Sequence, residues 1–254
     1  MAVHVVIPAR YESTRLPGKP LADIAGQPMI VRVAAQAAKS NADDVVVAAD
    51  DARVAEAVQA AGWDAQMTRS DHQSGSDRVM EVAQQRGWAS DDIVINLQGD
   101  EPLAPPEVIN QLIQGMVDRP EIPMATLSEP LEQAKDFFDP NVVKVLANDE
   151  GLALMFSRAP LPFPRDNPST MPDGAARHVG MYGFRVQALG QFVQLGESRL
   201  ESIERLEQLR WLQAGKSLLV LSALKPVPGG VDTPADLARI QALFSALINS
   251  SRSC

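Results

Sequence analysis

Three cations, Arg10, Arg15 and Lys19, fall within ten positions in the stretch VVIPARYESTRLPGKP, Val5 to Pro20. Grouped guanidinium and ammonium groups form an anion trap, and a phosphate chain is its natural guest. The feature is local, because the chain as a whole carries 23 Lys and Arg against 32 Asp and Glu, a formal net charge of -9. The stretch is not a P-loop. It lacks GxxxxGK[ST], and Pro8, Pro17 and Pro20 withhold the amide donors of a glycine-rich phosphate loop, so side-chain cations must hold the anion. Solvated surface charge is the competing reading of any basic triplet. The position directly after an apolar strand weighs against it.

Chemistry of opposite sign follows IVINL, where QGDEP places Gln98, Asp100 and Glu101. A carboxylate next to a polyphosphate is repulsive unless a divalent cation lies between them. The expected ion is Mg²⁺, shared by carboxylates and substrate oxygens. A turn, or a cap on a helix starting at Pro105 or Pro106, explains the same two acids. In TRSDHQSGSDR, Ser74 or Ser76 reads as a helix cap, while Arg69, His72, Gln73, Gly75 and Arg78 share the loop. In GVDTP, Thr233 as cap and Pro234 at the first helical position leave Asp232 free for a second role.

Other polar groups leave two readings open. Arg158 and Arg165 belong to a proline-rich surface loop, where they are either solvated or within reach of an acidic ligand. His178 and Tyr182 line a pocket or are satisfied core groups. Glu204, Glu207, Gln208 and Arg210 lie off the apolar stripe of SRLESIERLEQLRWLQAG, the ordinary pattern of a solvated helix face.

The elements that must position these groups follow from periodicity. Val3 to Ile7 reads as an apolar run, broken only by His4, of a parallel strand buried on both faces and ended by Pro8. A helix from Pro28, a strand Val45–Ala49, a helix capped by Asp50 or Asp51 and stopped at Gly62, a short strand Ala65–Thr68, a helix stopped at Gly87 and a strand Ile93–Leu97 follow. This alternation predicts an α/β fold, a mostly parallel sheet flanked by helices, with ligands at the carboxyl ends of its strands. From Glu121 the strands MATLS, VVKVLA and LALMFS, with the hairpin turn NDEG, predict a smaller antiparallel insertion. Then come a strand His178–Val186, whose Gly180 and Gly183 predict close backbone approach, and one helix with Leu200, Ile203, Leu206, Leu209 and Leu212 as its stripe. The strand SLLVLSA, the helix ADLARIQALFSALI and a frayed tail NSSRSC complete the chain.

At 254 residues and 45% apolar content the chain suits one large domain, 1–254, with an inserted part over 121–215. The one cysteine, Cys254, excludes an internal disulfide framework and a cysteine metal cage, and a reducing compartment fits. A strand that begins at once leaves no room for a leader peptide, and no apolar run approaches the ~20 residues of a membrane span. Two Tyr, a pI near 4.9 and no basic stripe interleaved with aromatics argue against a nucleic-acid binder. A soluble cytoplasmic protein acting on small molecules is expected.

Taken in order, VVIPARYESTRLPGKPL, MTRSDHQSGSDR, VINLQGDEP, FSRAPLPFPRD, RHVGMYGFR, LEQLR and GVDTPADL resemble the 3-deoxy-manno-octulosonate cytidylyltransferases, the CMP-Kdo synthetases of lipopolysaccharide synthesis. The resemblance runs from Val5 to about Leu237. It implies a nucleotide-diphospho-sugar transferase fold, a sugar-binding and dimer-forming insertion, a homodimer, and transfer of CMP from CTP to 3-deoxy-manno-octulosonate (Kdo) with Mg²⁺. By motif it assigns Arg10, Arg15 and Lys19 to the triphosphate, Gln73, Ser74, Gly75 and Arg78 to the nucleotide, and Asp100 and Asp232 to the metal. Arg15, Lys19, Asp100 and Asp232 are the implied catalytic set. Gln98, Arg158, Arg165, His178, Tyr182, Glu207 and Gln208 are implied to face the sugar. The chain departs from the family in PGGVDTPADL, which is one residue shorter before Asp232, and in AAD after the second strand, where Ala49 replaces a hydroxyl residue.

Overall fold

Successive residues of the strand Val3–Ala9 (β1) enter two different cores, Val5 and Ile7 on one face of a sheet and Val6 on the other. That is why the run is apolar without alternation: helices cover both faces. The protein's structure, a computed structural model, describes residues 1–13 and 15–251. After β1 come a 3-10 turn at Lys19–Leu21, the short pair Asp23–Ile24 (β2) and Gln27–Pro28 (β3), and the helix Met29–Ala37 (α1). Asp44–Ala49 (β4), Ala52–Ala60 (α2), Asp64–Met67 (β5), Gly75–Arg86 (α3), Ile93–Asn96 (β6) and Pro106–Asp118 (α4) continue the alternation. Then follow Met124–Pro130 (β7), Ala134–Phe138 (α5), Lys144–Ala147 (β8), Ala153–Ser157 (β9) and Ala176–Arg185 (β10). Val186–Gln194 (α6), Arg199–Glu204 (α7), Leu209–Gln213 (α8), Leu219–Ser222 (β11) and Pro234–Ser251 (α9) complete the order.

The main path of the sheet is β11-β7-β10-β6-β1-β4-β5. Strands β1, β4, β5 and β6 pair in parallel, as do β7 and β11, while β10 runs antiparallel between β6 and β7. The antiparallel part expected over 121–215 is therefore spliced into the central sheet through β7 and β10. Only the hairpin of β8 and β9 leaves the main path, turning at Asn148–Gly151 as NDEG predicts.

Four local expectations are corrected. Pro8 does not end β1, which stays paired with β4 through Ala9 after β6 has departed at Val6. The single helix expected over 198–215 is broken into α7 and α8 by Arg205, whose φ of 53° is left-handed. Arg158 donates to the carbonyl oxygens of Glu204 (2.7 Å) and Arg205 (3.5 Å), groups that a continuing helix would use itself, and Ile203 of the expected stripe is exposed. Gly180 has open space where a side chain would stand, so close approach explains only Gly183, where a Cβ would lie 2.5 Å from Met116 Sδ. The tail NSSRSC is helical as far as Ser251, and 252–254 lie outside the described residues.

Candidate active site

An open cavity of 670 Å³ lies over the carboxyl ends of β1 and β6, where an open α/β sheet binds its ligands. Its wall includes Arg10, Arg15, Lys19, Gln73, Ser74, Gly75, Arg78, Gln98, Asp100 and Asp232. Four stretches distant in sequence thus converge on one space. Gly99 makes the convergence possible: a Cβ there would stand 2.7 Å from the Pro8 carbonyl oxygen, so only glycine lets the β6 turn close on the end of β1.

Cation and carboxylate meet at Lys19, which follows Gly18 at a left-handed φ of 67°. Lys19 Nζ donates to Asp100 Oδ2 (2.6 Å) and Asp232 Oδ1 (3.0 Å). Burial pulls the ammonium pKa down, but the two carboxylates outweigh it and the value rises above that of an ordinary lysine. Lys19 is therefore charged at neutral pH. Arg15 reaches Asp232 at 3.3 Å but is 64% exposed, against 15% for Lys19, so its pairing is weak and its guanidinium remains accessible. Arg10 is exposed at the rim. The Val231 N–H donates to the Asp100 carbonyl (2.9 Å), which joins the loop carrying Asp232 to the β6 turn. Beside it, burial and then the Asp100 charge push the Glu101 carboxyl up to about 8.

These two carboxylates suit a divalent cation. Their oxygens already gather on one positive group, and they are hard donors of the type that Mg²⁺ takes. No group of three or more His, Cys, Asp or Glu placed to hold a metal ion occurs among the described residues, and water and substrate oxygens would complete the set, the habit of Mg²⁺.

On the opposite wall Ser74 caps α3 in a capping box with Asp77, and Ser76 donates to Glu207 Oε2 (3.0 Å). Arg78 is buried. Its guanidinium donates to Thr68 Oγ1 (2.6 Å), the Arg69 carbonyl (3.0 Å) and Asp50 Oδ2 (3.3 Å), and burial lowers its pKa against the pull of Asp50. Asp50 also accepts the Tyr11 N–H (2.9 Å), so one carboxylate joins the cationic loop to α3. The sequence reading missed this residue by offering Asp50 and Asp51 as alternative caps. Asp51 is the cap, accepting from the Arg53 N–H, and the signal was the leftover acid after an apolar strand. His72 pairs with Glu81.

The groups that the resemblance assigns to a sugar divide in two. Tyr182 stands beside Asn96 in the sheet register, its ring 5.4 Å from that of His178, and Gln98 Nε2 approaches Asn96 Oδ1 at 3.5 Å. Burial first and then Arg177 hold His178 down to about 3, and its Nε2 lies 2.9 Å from Thr126 Oγ1. Thr126 donates to the Met181 carbonyl (2.8 Å), which leaves its oxygen to accept from the His178 Nε2–H. Burial raises the carboxyl of Glu207, and burial with the Glu207 charge raises the phenol of Tyr182. Glu207 Oε1 and Gln208 Nε2 are buried without a hydrogen-bond partner among the described residues. Gln208 is therefore no part of a solvated face. Of the seven only Gln98 is on the cavity wall: Glu207 lines a second cavity that shares Gln73 and Ser74 with the first, Arg158 is bound to backbone carbonyls, including that of Pro140 (2.9 Å), and Arg165 is exposed on the proline-rich loop.

The sequence profile of the cytidylyltransferases matches residues 4–218. The chain is 51% identical over 251 residues to a 3-deoxy-manno-octulosonate cytidylyltransferase of Cellvibrio japonicus (strain Ueda107), covering 96% of this chain and 98% of the relative. It is 52% identical over 249 residues to the protein of the same name from Pseudomonas syringae pv. syringae (strain B728a), with the same coverage of 96% and 98%. A solved structure of CMP:2-keto-3-deoxy-manno-octonic acid synthetase complexed with CTP superposes with a TM-score of 0.90 at 44% identity, covering 97% of this chain and 99% of the other.

Proposed function

The chain belongs to the cytidylyltransferase family, and from that premise we propose that it transfers CMP from CTP to Kdo, giving CMP-Kdo and pyrophosphate and so activating the sugar for lipopolysaccharide synthesis. The observation that carries the reading is the meeting of Lys19 with Asp100 and Asp232 at the floor of a cation-lined cavity.

The anomeric hydroxyl oxygen of Kdo attacks the α-phosphorus of CTP in line, its proton passing to water, the bond from that phosphorus to the β-phosphate oxygen breaks, and pyrophosphate leaves. Arg10, Arg15 and Lys19 hold the triphosphate, and Arg15 and Lys19 neutralise the departing pyrophosphate. Gln73, Ser74, Gly75 and Arg78 form the nucleotide wall. Asp100 and Asp232 would hold Mg²⁺, which when bound would supply positive charge against the developing phosphate charge and lower the pKa of the attacking hydroxyl. Gln98, His178, Tyr182, Glu207 and Gln208 orient the sugar. The resemblance gives the sugar carboxylate to Arg158 and Arg165; Arg165 is exposed, whereas Arg158 would first have to release the carbonyls of Glu204 and Pro140.

The protein acts as a homodimer in the cytoplasm, where CTP is available. The dimer is supported by large apolar side chains exposed in the 121–215 part, Leu154, Phe163 and Ile203. No described helix is long and apolar enough to cross a membrane.

The experiment that tests the function is pyrophosphate release over a panel of acidic sugars crossed with each nucleoside triphosphate. Release with CTP and Kdo alone is expected. Preference for a sialic acid or an amino variant of Kdo would reassign the substrate, and CTP binding without release would make the chain a non-catalytic binder.

A further inference from the structure

Asp232 sits on a connection without regular structure, from Ala223 to Thr233 between β11 and α9, which contains two prolines and two glycines. Such a segment has ample conformational freedom, yet it must deliver one carboxylate to within hydrogen-bond reach of Lys19. An ion pair that no step of the reaction uses lies beneath it. Glu129 on β7 and Arg177 on β10 stand directly opposite each other in the antiparallel register and form a salt bridge. The pair grips both backbone groups of one loop residue: the Val227 N–H donates to Glu129 Oε1, and the Val227 carbonyl accepts from Arg177 Nη2 (2.7 Å). Glu129 and Val227 are both buried.

Downstream of the grip the loop has little slack. Arg239 of α9 donates to the Gly229 carbonyl (3.0 Å), the Val231 N–H is held by the Asp100 carbonyl, and a Cβ at Gly230 would stand 3.1 Å from that same carbonyl oxygen. At the far end Asp236 accepts from the Thr233 N–H (2.9 Å) in the cap of α9. Removing the grip at Val227 leaves the hold on Asp232 to these downstream contacts alone.

We propose that the Glu129–Arg177 pair is a positioning device for Asp232, fixing through Val227 where the second carboxylate stands relative to Asp100. The sheet register sets the pair, so the distance between the two carboxylates is inherited from β7 and β10, neither of which lines the cavity around Lys19. This inference rests on the reading of Asp100 and Asp232 as a shared metal site.

The test uses the full-length protein with Glu129→Gln and Arg177→Met combined, so that neither charge is left buried alone, beside Val227→Pro, which deletes the amide hydrogen that Glu129 accepts and keeps an apolar side chain at that place. Backbone hydrogen exchange reads the grip without turnover, and the Val231 amide is expected to exchange at least ~10-fold faster in both variants. The Mg²⁺ concentration for half-maximal rate is expected to rise at least ~10-fold, with the KM for CTP within ~2-fold of the parent. Unchanged exchange at Val231, or faster exchange with an unchanged Mg²⁺ requirement, overturns the proposal. Val227→Pro keeps the question open to test if the double variant does not fold. Asp232→Asn is the control: if its Mg²⁺ requirement and turnover match the parent, the metal reading itself fails, whereas loss there without loss in the grip variants condemns the positioning role alone.

Discussion

Lys19 Nζ donates to Asp100 Oδ2 across 2.6 Å, joining the first loop of the chain to the turn after β6. Neither group is idle on the surface, since Lys19 is mostly buried and its charge is maintained by Asp100 together with Asp232. A catalytic carboxylate held this way can lose its charge without loss of the fold, because Lys19 keeps its second partner. Asp100→Asn is expected to fold normally and to lower turnover at least ~100-fold, a loss of about 3 kcal/mol of transition-state stabilisation. Pyrophosphate release with CTP and Kdo, beside a thermal melt, checks both halves. Near-normal turnover in the folded variant would remove Asp100 from the metal site.

Asp50 is the second acid whose loss should be informative. It accepts the Tyr11 N–H and the Arg78 guanidinium from opposite walls of the cavity, and Arg78 is almost wholly buried. Asp50→Ala leaves that guanidinium with only neutral acceptors, so stability is expected to fall by about 3 kcal/mol. The KM for CTP is expected to rise ~10-fold while that for the sugar stays within ~2-fold, because the loop moves and the β10 side of the site does not. Asp50→Asn, which keeps a neutral acceptor for Tyr11, should fall between. Equal effects on both KM values would show that Asp50 serves the fold generally.

What could be read from the residues in line depended on the range of the interaction. The runs Val3 to Ile7 and Ile93 to Leu97 are apolar but for His4 and Asn96 because β1 and β6 are covered on both faces, and caps such as Ser74 and Thr233 act over three residues, so all were legible. The break at Arg205 was not. It depends on Arg158, 47 positions away, capturing carbonyls that the local pattern assigns to a continuous helix. Gln208, which the helical pattern puts on a solvated face, is buried just beyond that break. In the site, the cations and the acids after β1 and β6 were visible as charge at strand ends. The grip of Glu129 and Arg177 on Val227 was invisible, because it exists only once the antiparallel register brings β7 and β10 together.

His178 gives a pH dependence with a definite sign. Its folded pKa of about 3 lies below the ordinary value of 6.5, so the unfolded chain binds the extra proton between those two values. Stability from this residue is complete above pH 6.5 and is lost as pH falls from 6.5 toward 3. At pH 5 the loss is about 2 kcal/mol. Carboxylates titrate over part of the same range, so the measurement is a difference: urea midpoints at pH 7.5 and pH 5 for the parent and for His178→Gln. The variant is expected to lose less stability on acidification by about that amount. Parallel losses in the two proteins would mean that His178 is protonated in the fold.

Two glycines near the site separate steric need from catalytic consequence. A Cβ at Gly183 would meet Met116 Sδ at 2.5 Å, the end of a flexible thioether chain that can rotate away. A Cβ at Gly99 would meet the Pro8 carbonyl oxygen at 2.7 Å and Ile30 Cδ1 at 3.2 Å. The first of these is backbone at the end of β1, so relief requires the β6 turn to retreat, taking the next residue, Asp100, away from Lys19. Gly183→Ala is expected to cost about 1 kcal/mol and to leave turnover within ~2-fold. Gly99→Ala is expected to cost about 2 to 3 kcal/mol and to lower turnover at least ~10-fold, since a displacement of about 1 Å at a reacting centre is enough to do so. Urea denaturation and pyrophosphate release on both variants make the comparison. Turnover that falls equally in the two would mean that the position of Asp100 is not set by the contact between Gly99 and Pro8.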